Sequence, residues 1–249
     1  QPFGALDRLG ANSLMSESTG VRAANLIRRG RMFSIGRDYA PLGAEDATPG
    51  LRSTLFGIGA LSEEGRYYNG LEAEALDGVA MPAVKPFFTR GLMIDLVSLN
   101  GRALRAGEEI SAEDIERWLE WKGLKPPEPG DVVIFHTGWG AHWGSDDATY
   151  LGGAPGIGAE ATEWLIAQRV AIVGAGTWAI EAQAPGANQG AEPGDAQRRA
   201  LLVENGIYLL TNLETARIID AEIAEFAFIL APLPVARAHE APSVPLIAY

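Results

Sequence analysis

Strand and helix signals alternate along most of this 249-residue chain, and the alternation predicts an α/β fold with a partly parallel sheet. Two observations carry that expectation. The apolar runs are short and almost unbroken, as in "VVIF" at 132–135 and "VAIVG" at 170–174, the pattern of strands buried on both faces. Between them lie segments of helical spacing bounded by cap residues and glycines.

Each element has its own local reason. Residues 17–29, "ESTGVRAANLIRR", set Val21, Ala24 and Ile27 on one side, with Ser16 as cap and Gly30 as stop, which predicts a helix. "RMFSIG" at 31–36 reads as a short strand, and 37–50 is loop chemistry throughout. "RGLMIDLVS" at 90–98 reads as a strand. "SAEDIERWLEWKG" at 111–123 opens on a capping-box pattern, Ser111 with Asp114, and closes on Gly123, so it reads as a helix. "PGDVVIFHTGW" at 129–139 is a turn followed by a buried strand. Residues 158–181 repeat the order, a helix to Gln168 and a strand from Val170 to Gly174. A third cycle runs from "DAQRRALLVENG" into "IYLLTNL", and "EFAFILAPLPV" supplies the last strand. No repeat or long linker divides the chain, so one domain over 1–249 is expected. The Pro/Gly-rich 184–195 reads as a surface loop placed over a site.

Composition removes several function classes. With 20 Lys+Arg against 32 Asp+Glu, the net charge of −12 repels phosphate backbones and anionic lipid, so neither nucleic acid nor a membrane surface is an expected partner. The absence of Cys excludes disulfides, thiolate nucleophiles and thiolate metal sites. No basic stretch followed by an apolar run opens the sequence, and no window is long and apolar enough to span a bilayer, so a cytoplasmic protein is expected. G-x-S-x-G, P-loop and H-E-x-x-H patterns are absent, which leaves serine-hydrolase, nucleotide-hydrolase and zincin readings without support.

Chemistry concentrates at two strand ends. "FHTGWGAHW" gathers His136, Trp139, His142 and Trp143 just after a buried strand, where α/β proteins tend to place sites. His136 has two open uses, as a proton carrier or as a core group bonded to the backbone. "GAGTWAIEAQ" at 174–183 repeats the form, with Trp178, Glu181 and Gln183. Glu181 is either an acid/base whose pKa is raised by apolar neighbours or a loop carboxylate paired with an arginine. The "GAG" lacks a third spaced glycine and gives no case for a dinucleotide. "RYYNG" at 66–70 reads first as a hairpin turn.

Taken together, "LGANSLMSESTGVRAANLIRRGRMFSIG", "GRYYNG", "FTRGLMIDLVSLNG", the run from Ile110 to Trp143, "APGIGAEATEWLIAQRVAIVGAGTWAIE", "LLVENGIYLLTNLE" and the C-terminal "EFAFILAPLPV…SVPLIAY" resemble the cyclase family that includes bacterial kynurenine formamidase, isatin hydrolase and trans-dienelactone hydrolase. The resemblance implies a swivelling β/β/α domain with a mixed sheet and flanking helices, assembled as a homodimer or homotetramer. It also implies a Zn or Mn ion that activates water against an amide, lactam or lactone. The family holds its metal mainly through H-x-G-T-H-x-D-x-x-x-H. Laid on this chain, that motif puts its ligands at Gly50, Thr54, Phe56 and Ala60, while Gly57 and Gly59 still match; downstream ligand positions fall on Gln197 and Thr211. These losses lead to the expectation of no cofactor and no metal. Two functions remain open. One is a metal-independent cyclase, dehydratase, isomerase or lyase acting on a small aromatic or polyketide-like substrate enclosed by Phe56, Tyr67, Trp139, Trp143, Trp178 and Gln183, with His136, His142 and Glu181 moving protons. The other is an inactive binding or subunit homologue, with a hydrolase that has replaced its ligands in third place.

Overall fold

Ser16 opens the first helix with a capping box: its hydroxyl accepts the Thr19 N–H while Thr19 Oγ1 accepts the Ser16 N–H. The computed structural model describes residues 3–4, 7–37, 55–57, 68, 84–186, 196–232 and 240–249. In chain order the elements are α1 (Glu17–Ala24), β1 (Met32–Ser34), β2 (Leu55–Gly57), β3 (Phe87–Asp95), α2 (Leu96–Asn100), β4 (Glu109–Ile110), α3 (Ala112–Lys122), β5 (Val132–His136), α4 (Asp147–Leu151) and β6 (Gly156–Ile157). They continue with α5 (Ala159–Gln168), β7 (Ile172–Ala175), α6 (Ala196–Arg199), β8 (Tyr208–Thr211), α7 (Ala216–Asp220), β9 (Glu225–Leu230), β10 (Glu240–Pro242) and β11 (Leu246–Ala248).

The strands form a mixed sheet of order β1-β11-β9-β3-β5-β7-β8, extended at one edge by β2 and β10. Its centre, β3-β5-β7-β8, is parallel, and the flanking pairs are antiparallel. β4 and β6 pair separately. The parallel strands are the near-continuous apolar runs because both of their faces are covered. Val133 and Phe135 pack on one side with Ile115, Trp118 and Leu119 of α3 and Leu165 of α5. Val132 and Ile134 pack on the other with Ile35, Leu213, Ile218, Phe226 and Phe228. The mixed α/β fold with flanking helices is therefore as the sequence predicts.

Individual elements depart from the sequence reading for local reasons. α1 stops at Ala24 rather than at Arg29, and Ile27 is left exposed beyond it. "LVS", expected to continue β3, turns into α2, because the Asp95 carboxylate accepts the N–H groups of Val97 and Ser98 and caps a new helix. α3 matches the expected span: Ser111 and Asp114 form both bonds of the box and Gly123 takes the left-handed conformation. β7 begins at Ile172, and α6 continues as a π-turn over Ala200–Glu204.

At the start of β5, the buried Asp131 carboxylate accepts from Arg22 at 2.7 Å and from Arg90 at 3.0 Å. Arg90 also donates to Glu225 of β9 at 2.6 Å and to the carbonyls of Lys125 and Pro126. This network ties β3, β5, β9 and α1 at the end of the sheet opposite His136.

Candidate active site

The C-terminal ends of the parallel strands bring Asp95, His136, Gly176 and Asn212 to one edge of the sheet. Asp95 and His136 are register partners across β3 and β5. Asp95 is spoken for by the α2 N–H groups and by the Ser98 hydroxyl, which makes a short bond to it. His136 Nδ1 lies 2.8 Å from Thr215 Oγ1. Thr215 occupies the N-cap position of α7, yet its side chain makes no cap bond, so the hydroxyl serves the imidazole instead. Burial holds the His136 pKa below its ordinary value, against the pull of Asp95 and then Asp220, whose charges favour the imidazolium. The ring is thus neutral at neutral pH. With Nδ1 donating to Thr215, the Nε2 lone pair can take a proton; in the other tautomer Nε2 can give one.

Beside it stands an aromatic group centred on Tyr150, which is fully buried. Its hydroxyl lies 3.0 Å from Gly176 O and 2.8 Å from Asn212 Oδ1, bridging the loops after β7 and β8. Trp143 meets the Tyr150 ring edge-on at 5.4 Å, and Trp139 Nε1 donates to the Tyr150 carbonyl. Trp178 packs against the same group and donates to Gly153 O. The Arg37 guanidinium lies 4.8 Å from the Trp143 ring and donates to Gly140 O. Gly140 admits that approach, since a Cβ there would sit 2.8 Å from Arg37 Nη2.

A family model described as "Putative cyclase" matches residues 65–182. The chain is similar to that family over residues 65–182. Its fold is that of a solved structure described as a novel cyclase, with a TM-score of 0.81 at 22% identity over 99% of this chain and 98% of that one. An isatin hydrolase bound to the product analogue thioisatinate gives 0.60 at 19% identity, over 89% and 82%. Isatin hydrolase A from Ralstonia solanacearum gives 0.58 at 22% identity, over 89% and 82%. No curated protein matches the sequence.

The cyclase-family match takes in His136, His142, Glu181, Trp139, Trp143, Trp178 and Tyr67, and leaves out residues 50–60, where the metal motif would fall. Of those motif positions, Phe56 lies in β2, which pairs with β8 so that Leu55 stands opposite Thr211. Gly50, Thr54 and Ala60 lie outside the described residues, as does Tyr67. The groups at the motif positions are an amide, two hydroxyls and apolar side chains, a donor set that does not fit a divalent cation. Among the described residues no cluster of three or more His, Asp or Glu could hold a metal.

The remaining sequence candidates divide. His142 stacks edge-on against Trp139 at 4.8 Å, in the turn after β5. Glu181 and Gln183 are buried together in a different segment, where residues 181 and 183 bridge to Ile157 and Ala154. Gln183 Nε2 donates to the Glu181 carboxylate at 3.0 Å. Arg37, Asp95, Tyr150, Asn212 and Thr215 escaped the sequence reading, because each is 26 or more residues from the strand end or carbonyl it serves, or was read as part of a strand. The Asn-Leu-Glu-Thr stretch after β8 was the one available signal, a polar run directly after a buried strand.

Proposed function

We propose that this chain is a cyclase-family enzyme that works without a resident divalent metal, performing a ring closure, dehydration, isomerisation or elimination on a small, flat, aromatic or polyketide-like molecule. The observation that carries the reading is the His136–Thr215 pair: a neutral imidazole at the C-terminal end of a central strand, fixed through Nδ1, beside an aromatic wall of Trp139, Trp143 and Trp178. In such a reaction His136 takes a proton from a carbon made acidic by a neighbouring carbonyl. The return of a proton to the departing or closing oxygen is assigned to His142, in the turn after β5, or to Glu181, which is buried beside Gln183. One positioned acid or base supplies about 10²–10⁴-fold, enough for an activated elimination or cyclisation and too little for an unactivated amide.

Two measurements test this. Elemental mass spectrometry of the untagged protein, before and after loading with Mn²⁺ and Zn²⁺ and washing, should find less than stoichiometric metal. A retained equivalent would overturn the metal-free reading and restore the hydrolase. Once a substrate is in hand, His136→Gln should lower kcat by about 10²-fold or more. Full activity in H136Q, H142Q and E181Q together would remove the assigned roles.

A further inference from the structure

At the end of β3, Asp95, Trp118, Lys122, Ile219, Glu222 and Ile223 line a cleft of about 480 Å3, a volume within the range of small-molecule sites, roughly 300–1,000 Å3. Its charged groups are unusual in how they are held. Three non-glycine residues among those described have a left-handed backbone, Arg169, Asn212 and Glu222. Arg169 lies over the Phe3 ring, and Asn212 Oδ1 faces the Tyr150 hydroxyl. Glu222 ends α7: its N–H donates to Ile219 O and that of Ile223 to Ile218 O, a turn in which glycine is the favoured residue. Its exposed side chain has no hydrogen bond or ion pair with a described residue, and it borders both this cleft and a neighbouring one lined by Arg28, Arg29 and Tyr249.

On the same cleft, the Lys122 ammonium lies 4.7 Å from the Trp118 ring and 4.9 Å from that of Trp121, and it too forms no ion pair with a described residue. The Trp118 N–H is occupied by Met93 O and the ring is buried, so at the cleft it serves as a platform for the Lys122 ammonium. Asp95 is occupied by the start of α2. An exposed cation and an exposed anion therefore border one cleft without meeting, beside the partly buried Ile219 and Ile223. A ligand carrying both charges would complete two pairs at once.

We propose that this cleft binds a small zwitterion with an apolar body, of the free α-amino acid class, with its ammonium at Glu222, its carboxylate at Lys122 and its side chain on Ile219 and Ile223. The cleft shares Asp95 with the candidate active site, but the proposal does not depend on the acid/base reading of His136.

Calorimetric titration of the full chain tests the proposal, with L-phenylalanine and L-leucine as probes and phenethylamine and 3-phenylpropionate as analogues that each lack one charge. An amino acid should bind at least about threefold more tightly than either analogue. Lys122→Met and Glu222→Gly should each weaken it by about three- to tenfold. E222G also relieves the left-handed backbone, so it reports on the carboxylate in a folded chain; its circular dichroism should match the parent's. No heat from either amino acid at about 20 mM, beyond the weakest useful affinities, would overturn the proposal. So would equal binding of all probes, or unchanged affinity in both variants.

Discussion

Replacing Arg90 by Met would cut the charge network at the base of the sheet. The Arg90 side chain is 6% exposed and Asp131 wholly buried, so the pair lies out of solvent. The variant loses the bonds to Asp131 and Glu225 and strands the carbonyls of Lys125 and Pro126. Those two residues are exposed, so water replaces the lost donors there at small cost. Asp131 keeps Arg22 and the Glu128 N–H but is left buried with half its charge compensation. Removing one partner of a buried pair costs about 3–5 kcal/mol. Part of the Glu225 contact adds little, since that carboxylate is 31% exposed.

The expected loss is therefore about 3–4 kcal/mol at neutral pH, read from urea unfolding at unchanged m-value. Its pH dependence has a definite sign. Burial already holds the Asp131 pKa above its ordinary value, against the arginines. An acid raised in the folded state contributes stability that is complete below its unfolded pKa and is lost as pH rises through the folded one. Without Arg90 the folded value climbs further, so the deficit of R90M narrows as the buffer is taken from about pH 7.5 to about pH 5. The double variant R90M/D131N should lose less than the sum of its parts. A loss under about 1 kcal/mol, the scale of an ordinary surface change, or a deficit that widens on acidification, would refute the reasoning.

Two further outcomes are accessible without a substrate. The His136 ring should titrate in NMR below the ordinary histidine value, and Asp95→Asn, which keeps the α2 cap, should lower the midpoint further by removing a carboxylate that favours the imidazolium; a rise would contradict the assigned electrostatics. Gly91→Ala should destabilise by about 1–3 kcal/mol in thermal unfolding, because a Cβ there would lie 2.2 Å from Cε2 of the buried Phe226 ring; an unchanged Tm would show that β3 and β9 can separate to admit it.

Legibility in the sequence followed the range of the interactions. α3 could be read to its ends because its caps, Ser111, Asp114 and Gly123, lie within the segment. The parallel strands were legible as unbroken apolar runs, since two-sided burial leaves no polar alternation. β11 was not, because it owes its existence to the ladders with β1 and β9 rather than to its own pattern. Within the site, His136 and the tryptophans could be named from one strand end. Thr215, 79 residues from His136 in the chain, could not. Nor could the fate of Glu181, whose carboxylate accepts from Gln183 Nε2 in a buried bridge.

By itself, then, the sequence determined the α/β class, the order of its main elements, the exclusion of thiol chemistry and the residue types at the strand ends. Those properties are local, written in periodicity, caps and composition. Tertiary structure decided which strand ends meet: Asp95 beside His136, Thr215 turned from capping α7 to holding an imidazole, and Tyr150 joining the loops after β7 and β8. It also decided that His136 is neutral, because the burial that shifts its pKa comes from packing, while the opposing charge comes from Asp95 and Asp220 on other elements.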